Sequence, residues 1–351
     1  MKAGIVAALA AFALVIFIVP IIMRVSSRWK LYDFPGPLKI HRQPVSRLGG
    51  IAVTFAILGG AVLSIRFSAT GEVPFFAAVV LICTVGAIDD IHGLSATVRL
   101  TAQVAAGALL WMNCGQLSIL GSAPLGLAAS CTLTVAMANS SNFLDGADGV
   151  ATGVAGIVAI AYGLLAWSSS DRLAIAIAWA VAGSCAGFLF FNLPVARIFQ
   201  GDAGSTSLGL CIASLGLRFY HSPLAKGPRL LFPLITVALP LLDLALAVVR
   251  RIRAGMSPFM GDRAHFYDLL RARGMSARAI VFTCYVITIL FALIGTIAWR
   301  VDPATFYLLA AAAVGAFLIG AIRMGALQPD ALETQQAPNA LAEVHRSGEV
   351  S

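Results

Sequence analysis

Eight aspartates of this chain stand in polar breaks between long apolar runs: Asp33, Asp89, Asp90, Asp145, Asp148, Asp202, Asp262 and Asp268. Their settings suggest chemistry. In the stretch Val85–Leu94, Asp89 and Asp90 are adjacent, a pair that repels unless a cation neutralises it. In Asn139–Gly149, Asn142, Asp145 and Asp148 recur at every third position, which puts them on one side of a helix or tight turn. Glycines at 146 and 149 let backbone approach a ligand closely. Hard oxygen donors at this density suit Mg²⁺, and the spacing is not that of a calcium-binding loop. In Phe191–Thr206 the run Gly201-Asp-Ala-Gly-Ser-Thr206 opens an apolar segment. Free N–H groups and a helix dipole there favour phosphate, with Ser205 or Thr206 as a cap. Asp202 would repel a bare phosphate, so it makes sense as ligand to a metal that the phosphate also binds. No Gly-Lys-Ser/Thr is present, so this is not a Walker loop.

Two further segments are basic. Arg250–Arg278 holds seven arginines, with His265, Tyr267 and Asp268 on a short amphipathic stretch. Asp33–Gly50 mixes Pro, Gly and basic residues in a loop suited to anionic phosphates. Asp243 lies two helical turns before Arg250 and Arg251, which favours a structural ion pair or a helix-packing hydrogen bond.

The elements that carry these residues follow from composition. Of 351 residues 59% are hydrophobic and 11% charged, and the mean hydropathy is +0.90. A soluble protein needs roughly a quarter of its residues charged. The chain reads as an all-α, polytopic integral membrane protein, which excludes a secreted disulfide scaffold, a disordered chain and a nucleic-acid binder. Spans need about 20 apolar residues each. Eleven are expected, at 3–23, 48–66, 74–91, 98–114, 118–138, 149–167, 173–191, 204–219, 230–249, 279–298 and 303–322; merging a weak split would leave ten. Residues 1–322 form a single transmembrane catalytic domain with active-site loops near 24–47, 89–99, 139–149, 192–204 and 250–278. Residues 323–351 read as a disordered cytoplasmic tail. Seventeen of the 24 Lys and Arg fall on one side of this topology and seven on the other. That bias puts the N-terminus outside and the C-terminus in the cytoplasm. The eight aspartates share the cytoplasmic side, a clustering that the positive-inside rule does not explain. The net charge of +8 is therefore topology plus phosphate binding. All six cysteines lie in or at the ends of apolar runs and read as small buried hydrophobes.

Together the motifs resemble one family, the polyprenyl-phosphate N-acetylhexosamine-1-phosphate transferases (WecA/MraY type). The matching pieces are Lys39-x-His41 to Arg47-x-Gly49-Gly50, Asp89-Asp90, Asn139-x-x-Asn142-x-x-Asp145-Gly-x-Asp148-Gly149, Phe191-Asn192 to Gly201-Asp202-x-Gly204-Ser205, and Asp262-Arg263-x-His265. They occur in family order. The resemblance implies attack by a polyprenyl (undecaprenyl) phosphate on a UDP-N-acetylhexosamine, foremost UDP-GlcNAc. The products are polyprenyl diphosphate-sugar and UMP, with Mg²⁺, or Mn²⁺ in its place, as cofactor. It implies Asp202 as metal ligand with Asn142 as second contact, Asp148 as the uracil-binding carboxylate, and Asp89 and Asp90 as a catalytic pair. Asp145 and Asn192 line the cleft; Arg263 and His265 hold diphosphate or sugar; Lys39 and Arg47 bind substrate. It implies the bacterial inner membrane, a cytoplasm-facing site, initiation of a cell-envelope glycan such as lipopolysaccharide, and room for a homodimer. Many relatives carry two or three histidines where this chain has His265-Phe-Tyr-Asp268, which disfavours the muramoyl-pentapeptide branch. A transporter, the rival from another class, should show charge in mid-span, and only Asp243 comes close.

A phosphate monoester has its second pKa near 6, so the attacking phosphate is already largely ionised at neutral pH. Positioning and charge neutralisation then matter more than a general base.

Overall fold

The computed structural model describes residues 2–33, 44–65, 72–114, 122–169, 171–222, 224–258, 262 and 264–328. Among these the chain is helical, apart from an isolated bridge between Asp33 and Val45. The helices are α1 (Lys2–Trp29), α2 (Gly49–Ser64), α3 (Val73–His92), α4 (Ala96–Cys114), α5 (Ala123–Leu144), α6 (Val150–Ser169) and α7 (Arg172–Asn192). They continue with α8 (Gly201–Tyr220), α9 (Phe232–Thr236), α10 (Ala238–Arg253), α11 (Phe266–Ala272), α12 (Ala277–Ile297) and α13 (Pro303–Arg323).

Each expected span coincides with a helix or, in one case, a broken pair. By length and apolarity α1, α3, α6, α7, α12 and α13 can cross a membrane, and a segment made of Gly227–Thr236, which ends in α9, and α10 joins them if counted as one. That ninth segment was expected to be continuous. It is bent by 69° between its halves, because Pro240 has no N–H to donate and sits where a new helix can start, in the first turn of α10.

Helix α8 is the axis of the site. All its residues except Asp202, Arg218 and Tyr220 are buried, against α3, α5 and α2. Small residues allow this: Gly86 of α3 rests on Ala203, where a Cβ would come within 2.6 Å of its backbone. Close backbone approach over glycine, alanine and serine is how helices pack where lipid supplies no hydrophobic drive. It brings the last turn of α3 directly over the first turn of α8.

Two apolar clusters form the core, one built mainly on α1–α8, the other on α9–α13 and the start of α6. The tail does not begin where disorder was expected. The chain runs in turns through Gln328, Ala326 is buried, and its carbonyl accepts from Arg250 Nη1 at 2.6 Å. Residues 329–351 lie outside the described residues. All six cysteines are free thiols; Cys83, Cys185, Cys211 and Cys284 are buried, Cys114 and Cys131 partly so.

Candidate active site

A cleft of about 500 Å³ opens where the end of α3, the α5–α6 turn, the α7–α8 loop and α11 meet. Among the described residues its wall carries seven aspartates (33, 90, 145, 148, 202, 262 and 268) against two arginines, Arg47 and Arg271. Arg47 is itself paired with Asp33 at 3.0 Å. Such a cleft attracts cations and repels a diphosphate unless positive charge is added.

The sequence neighbours Asp89 and Asp90 do different work. Asp90 faces α8: its two carboxylate oxygens accept from the N–H groups of Asp202 (2.9 Å) and Ala203 (3.0 Å). This answers orphan donors of the first turn, as a cap would, from a helix 112 positions away. The turn requires Gly201, which has φ +66° and lies so near Asp90 that a Cβ would come within 2.6 Å of the carboxylate. Asp89 turns the other way. One oxygen accepts from Leu94 N–H, and the other pairs with Arg99 Nη1 at 3.2 Å. The same Arg99 nitrogen reaches Asp202 Oδ2 at 3.4 Å, so one guanidinium bridges two candidate catalytic carboxylates. Arg99 belongs to none of the sequence motifs; its place at the start of the helix after Asp89-Asp90 is the signal that points to it.

Asn142 donates to Ser205 Oγ at 3.3 Å. With Asp202 it lines both the cleft and a second, small cavity of about 20 Å³ bounded by Ile82, Gly86, Arg99, Gln103 and Thr206. Asp145, at the C-cap of α5, sits between these groups. Burial pushes its carboxyl well above the ordinary carboxylate range, and the charges of Asp202 and Asp90 add to the rise. Asp148 lies in the cleft wall and accepts from Ala196 N–H at 3.0 Å.

Two candidates stand behind the wall. Asn192 is buried, its oxygen accepting from Gly149 N–H (3.0 Å) and Thr152 Oγ (3.2 Å), its amide donating to the Ile198 carbonyl (3.0 Å). It is a strut between α6 and the α7–α8 loop, not a residue of the cleft surface. His265 is 4% exposed. Its Nδ1 lies 2.8 Å from Asp243 Oδ2 and its Nε2 3.4 Å from Asp262 Oδ1. Asp243 thus makes the expected helix-packing hydrogen bond, while Arg250 and Arg251 pair with Asp262 at 2.6 and 3.1 Å instead. Burial raises the Asp262 carboxyl, but hydrogen bonds and charges from Arg251 and Arg250, with His265, outweigh it and hold the group below its usual value. Lys39, His41 and Arg263 lie outside the described residues.

Residues of α11 that the motifs had not assigned complete the wall: Tyr267, Asp268 and Arg271. Their signal was the amphipathic stretch after His265. Asp268 Oδ1 is 3.3 Å from Arg271, and its other oxygen is buried with no hydrogen-bond partner among the described residues. Burial pushes this carboxyl up to about 6, against the pull of His265 and Arg271. A separate pocket of about 120 Å³ lies by the far ends of α6 and α8, where Arg218 is spent on Asp171 and Asn113.

Among the described residues no three His, Cys, Asp or Glu side chains converge as a metal-ligand set. Mg²⁺ does not need one: it is commonly held by one or two carboxylates, with substrate phosphates and water completing the octahedron. Asp202 and Asn142 carry oxygens of the right kind, and the surplus of carboxylates around half-buried Asp145 is what a divalent ion would relieve. The residues fit the ion.

Residues 73–220 match the profile described as "Glycosyl transferase family 4". The chain is 34% identical over 297 residues to decaprenyl-phosphate N-acetylglucosaminephosphotransferase of Mycobacterium tuberculosis, covering 74% of each chain. It is 28% identical over 299 residues to the probable undecaprenyl-phosphate N-acetylglucosaminyl 1-phosphate transferase of Bacillus subtilis, covering 82% of this chain and 83% of that one. Undecaprenyl-phosphate alpha-N-acetylglucosaminyl 1-phosphate transferase of Escherichia coli K12 is 27% identical over 301 residues, 78% of each.

Proposed function

The chain belongs to glycosyl transferase family 4, and we propose that it transfers N-acetylglucosamine 1-phosphate from UDP-N-acetylglucosamine to a polyprenyl phosphate. An oxygen of the lipid phosphate attacks the β-phosphorus of the nucleotide sugar. The bond from that phosphorus to the bridging oxygen breaks, and UMP leaves with the electron pair. An ionised attacking phosphate needs no proton removed, which leaves positioning and electrostatics as the work of the protein.

The observation that supports this reading best is the convergence of Asp90, Asn142, Asp145, Asp148 and Asp202 from separate helix ends on one cleft. Mg²⁺ held by Asp202 with Asn142 would neutralise the charge of the diphosphate. Asp90 and Gly201 hold the first turn of α8 and so fix Asp202. Asp148 and the α7–α8 loop offer a shelf for the nucleotide end. Arg47 and Arg271 are the cations of the described wall that can meet phosphate or sugar. We further read all eleven apolar segments as spans, the N-terminus outside, and the cleft at the cytoplasmic face of the inner membrane.

The test is release of UMP from UDP-N-acetylglucosamine by the full chain in detergent or nanodiscs. It is expected only when polyprenyl phosphate and Mg²⁺ are both present. UDP-N-acetylgalactosamine and UDP-N-acetylmuramoyl-pentapeptide are offered in parallel, and release from the latter alone would move the protein to the muramoyl branch. Movement of solute across proteoliposomes without UMP release would make it a transporter. For topology, a cysteine at Val195, which is 86% exposed beside the cleft, should react with an impermeant thiol reagent only from the cytoplasmic side.

A further inference from the structure

Next to the cleft lies a charge cluster of Asp243, Arg250, Arg251, Asp262 and His265, whose side chains are at most 5% exposed; Asp262 borders the cleft and the other four stand behind its wall. Helix α11 follows it directly and has only seven residues. A helix this short does not hold itself and depends on its anchors. The Asp243 carboxylate supplies two of them: Oδ2 takes His265 Nδ1 at 2.8 Å and Oδ1 accepts from Phe266 N–H at 2.7 Å. The His265 carbonyl in turn accepts from Asp268 N–H at 2.9 Å. The imidazole packs on Phe143 of α5 with ring centres 4.7 Å apart, and stacks on Tyr267 at 5.9 Å. Asp262 is fixed by Arg250, which also ties down the Ala326 carbonyl, and by Arg251, which lies over the Phe143 ring at 4.9 Å.

Both ring nitrogens of His265 thus face carboxylates, and the side chain is no part of the cleft surface. We propose that His265 is a positioning residue. Clamped between Asp243 and Asp262, it fixes α11 and with it the wall of Tyr267, Asp268 and Arg271 against which the nucleotide sugar lies, without touching the substrate. This rests on the transferase reading and adds to it which residues set donor binding from outside the cleft.

The experiment compares His265→Asn, His265→Ala, Asp243→Asn and the double variant Asp243→Asn/His265→Ala, as full chains in nanodiscs. An asparagine amide can keep the donor that faces Asp243. KM for UDP-N-acetylglucosamine should therefore stay within about threefold in His265→Asn and rise roughly tenfold or more in His265→Ala and Asp243→Asn, with kcat changed less than about threefold. Because the two residues act as one clamp, the double variant should be no worse than the worse single. Calorimetric affinity for UDP-N-acetylglucosamine should follow KM. Loss of about a hundredfold in kcat at unchanged KM in both His265 variants would overturn the proposal, since it would put the ring on the reacting atoms. Additive effects of the Asp243 and His265 changes would overturn it equally. If His265→Ala does not fold, His265→Asn against Asp243→Asn still decides. If the wild-type chain releases no UMP from any UDP-sugar, the transferase reading fails on its own. The clamp is then judged by coupling of Asp243→Asn and His265→Asn in the thermal midpoint.

Discussion

Asp90 and Asp202 are joined through the backbone. The carboxylate of the first accepts from the N–H of the second at 2.9 Å, and from the next N–H at 3.0 Å. A residue that motif reading pairs with Asp89 as a catalytic group is thus also the cap that sets where Asp202 stands. Removing a capping side chain costs about 0.5–2 kcal/mol. Asp90→Ala should lower the thermal midpoint by several degrees and reduce UMP release at least tenfold, because Asp202 rides on the loosened turn. Asp90→Asn should not rescue it, since an amide would set one N–H against another. An unchanged midpoint in Asp90→Ala would show that the cap carries no weight.

Arg99 stands 3.2 Å from Asp89 and 3.4 Å from Asp202 through one nitrogen, so it competes for an oxygen that a bound Mg²⁺ would need. Two unit charges about 4 Å apart interact by about 4 kcal/mol at the effective dielectric of a protein surface. Arg99→Gln should therefore tighten Mn²⁺ binding, followed by electron paramagnetic resonance of the free ion, by at least about threefold. Asp202→Ala should abolish that binding. Equal or weaker binding in Arg99→Gln would mean that arginine and metal do not compete.

The apolar runs were enough to place the helices, since each had to satisfy its backbone within itself wherever lipid is the solvent. Of the eight carboxylates read in the polar breaks, all but Asp89 line one cleft. What local pattern could not show is the partner of each side chain. Nothing near Asp90 names the N-terminus of α8, and nothing near Arg250 and Arg251 names Asp262 as their counter-charge. By spacing both arginines read as partners for Asp243 at most, and they are 1% exposed. Asn192 and His265 sit in motifs and carry polar atoms, which made them look like surface chemistry. Only packing shows that those atoms are already engaged. The break in the ninth segment was legible in principle, in Pro233 and Pro240, but the mean hydropathy of the run concealed it.

Gly146 owes its identity to Tyr267 rather than to a ligand: a Cβ there would lie 1.8 Å from the phenol oxygen. Overpacking of this kind costs about 1–3 kcal/mol. Gly146→Ala should push α11 outward, lower the thermal midpoint and raise KM for the nucleotide sugar several-fold. Adding Tyr267→Ala should restore the midpoint in the double variant, because the clash is gone. No recovery in the double variant would locate the defect in the Asp145–Asp148 turn itself.

Asp268 gives the fold a pH dependence whose sign can be worked out. Burial holds its carboxyl at about 6 in the folded protein, above the 3.8 of an ordinary aspartate, against the pull of His265 and Arg271. The folded state therefore binds the proton more tightly than the unfolded state, and stability falls as pH rises through that window. The cost is fully present above about 6 and absent below about 4. Two pKa units correspond to at most about 3 kcal/mol, and rearrangement of the cleft will reduce that. Asp268→Asn keeps the shape and removes the charge. Its thermal midpoint should exceed the wild type's at pH 7.5 and match it near pH 4, if both are measured in the same detergent. A difference that is equal at both pH values would assign the effect to the lost contact with Arg271, which is 3.3 Å away, rather than to the buried charge. Arg271→Gln separates the two further: by removing the cation beside Asp268 it should raise the folded-state pKa, so that the fall in stability still begins near pH 4 but runs on to higher pH.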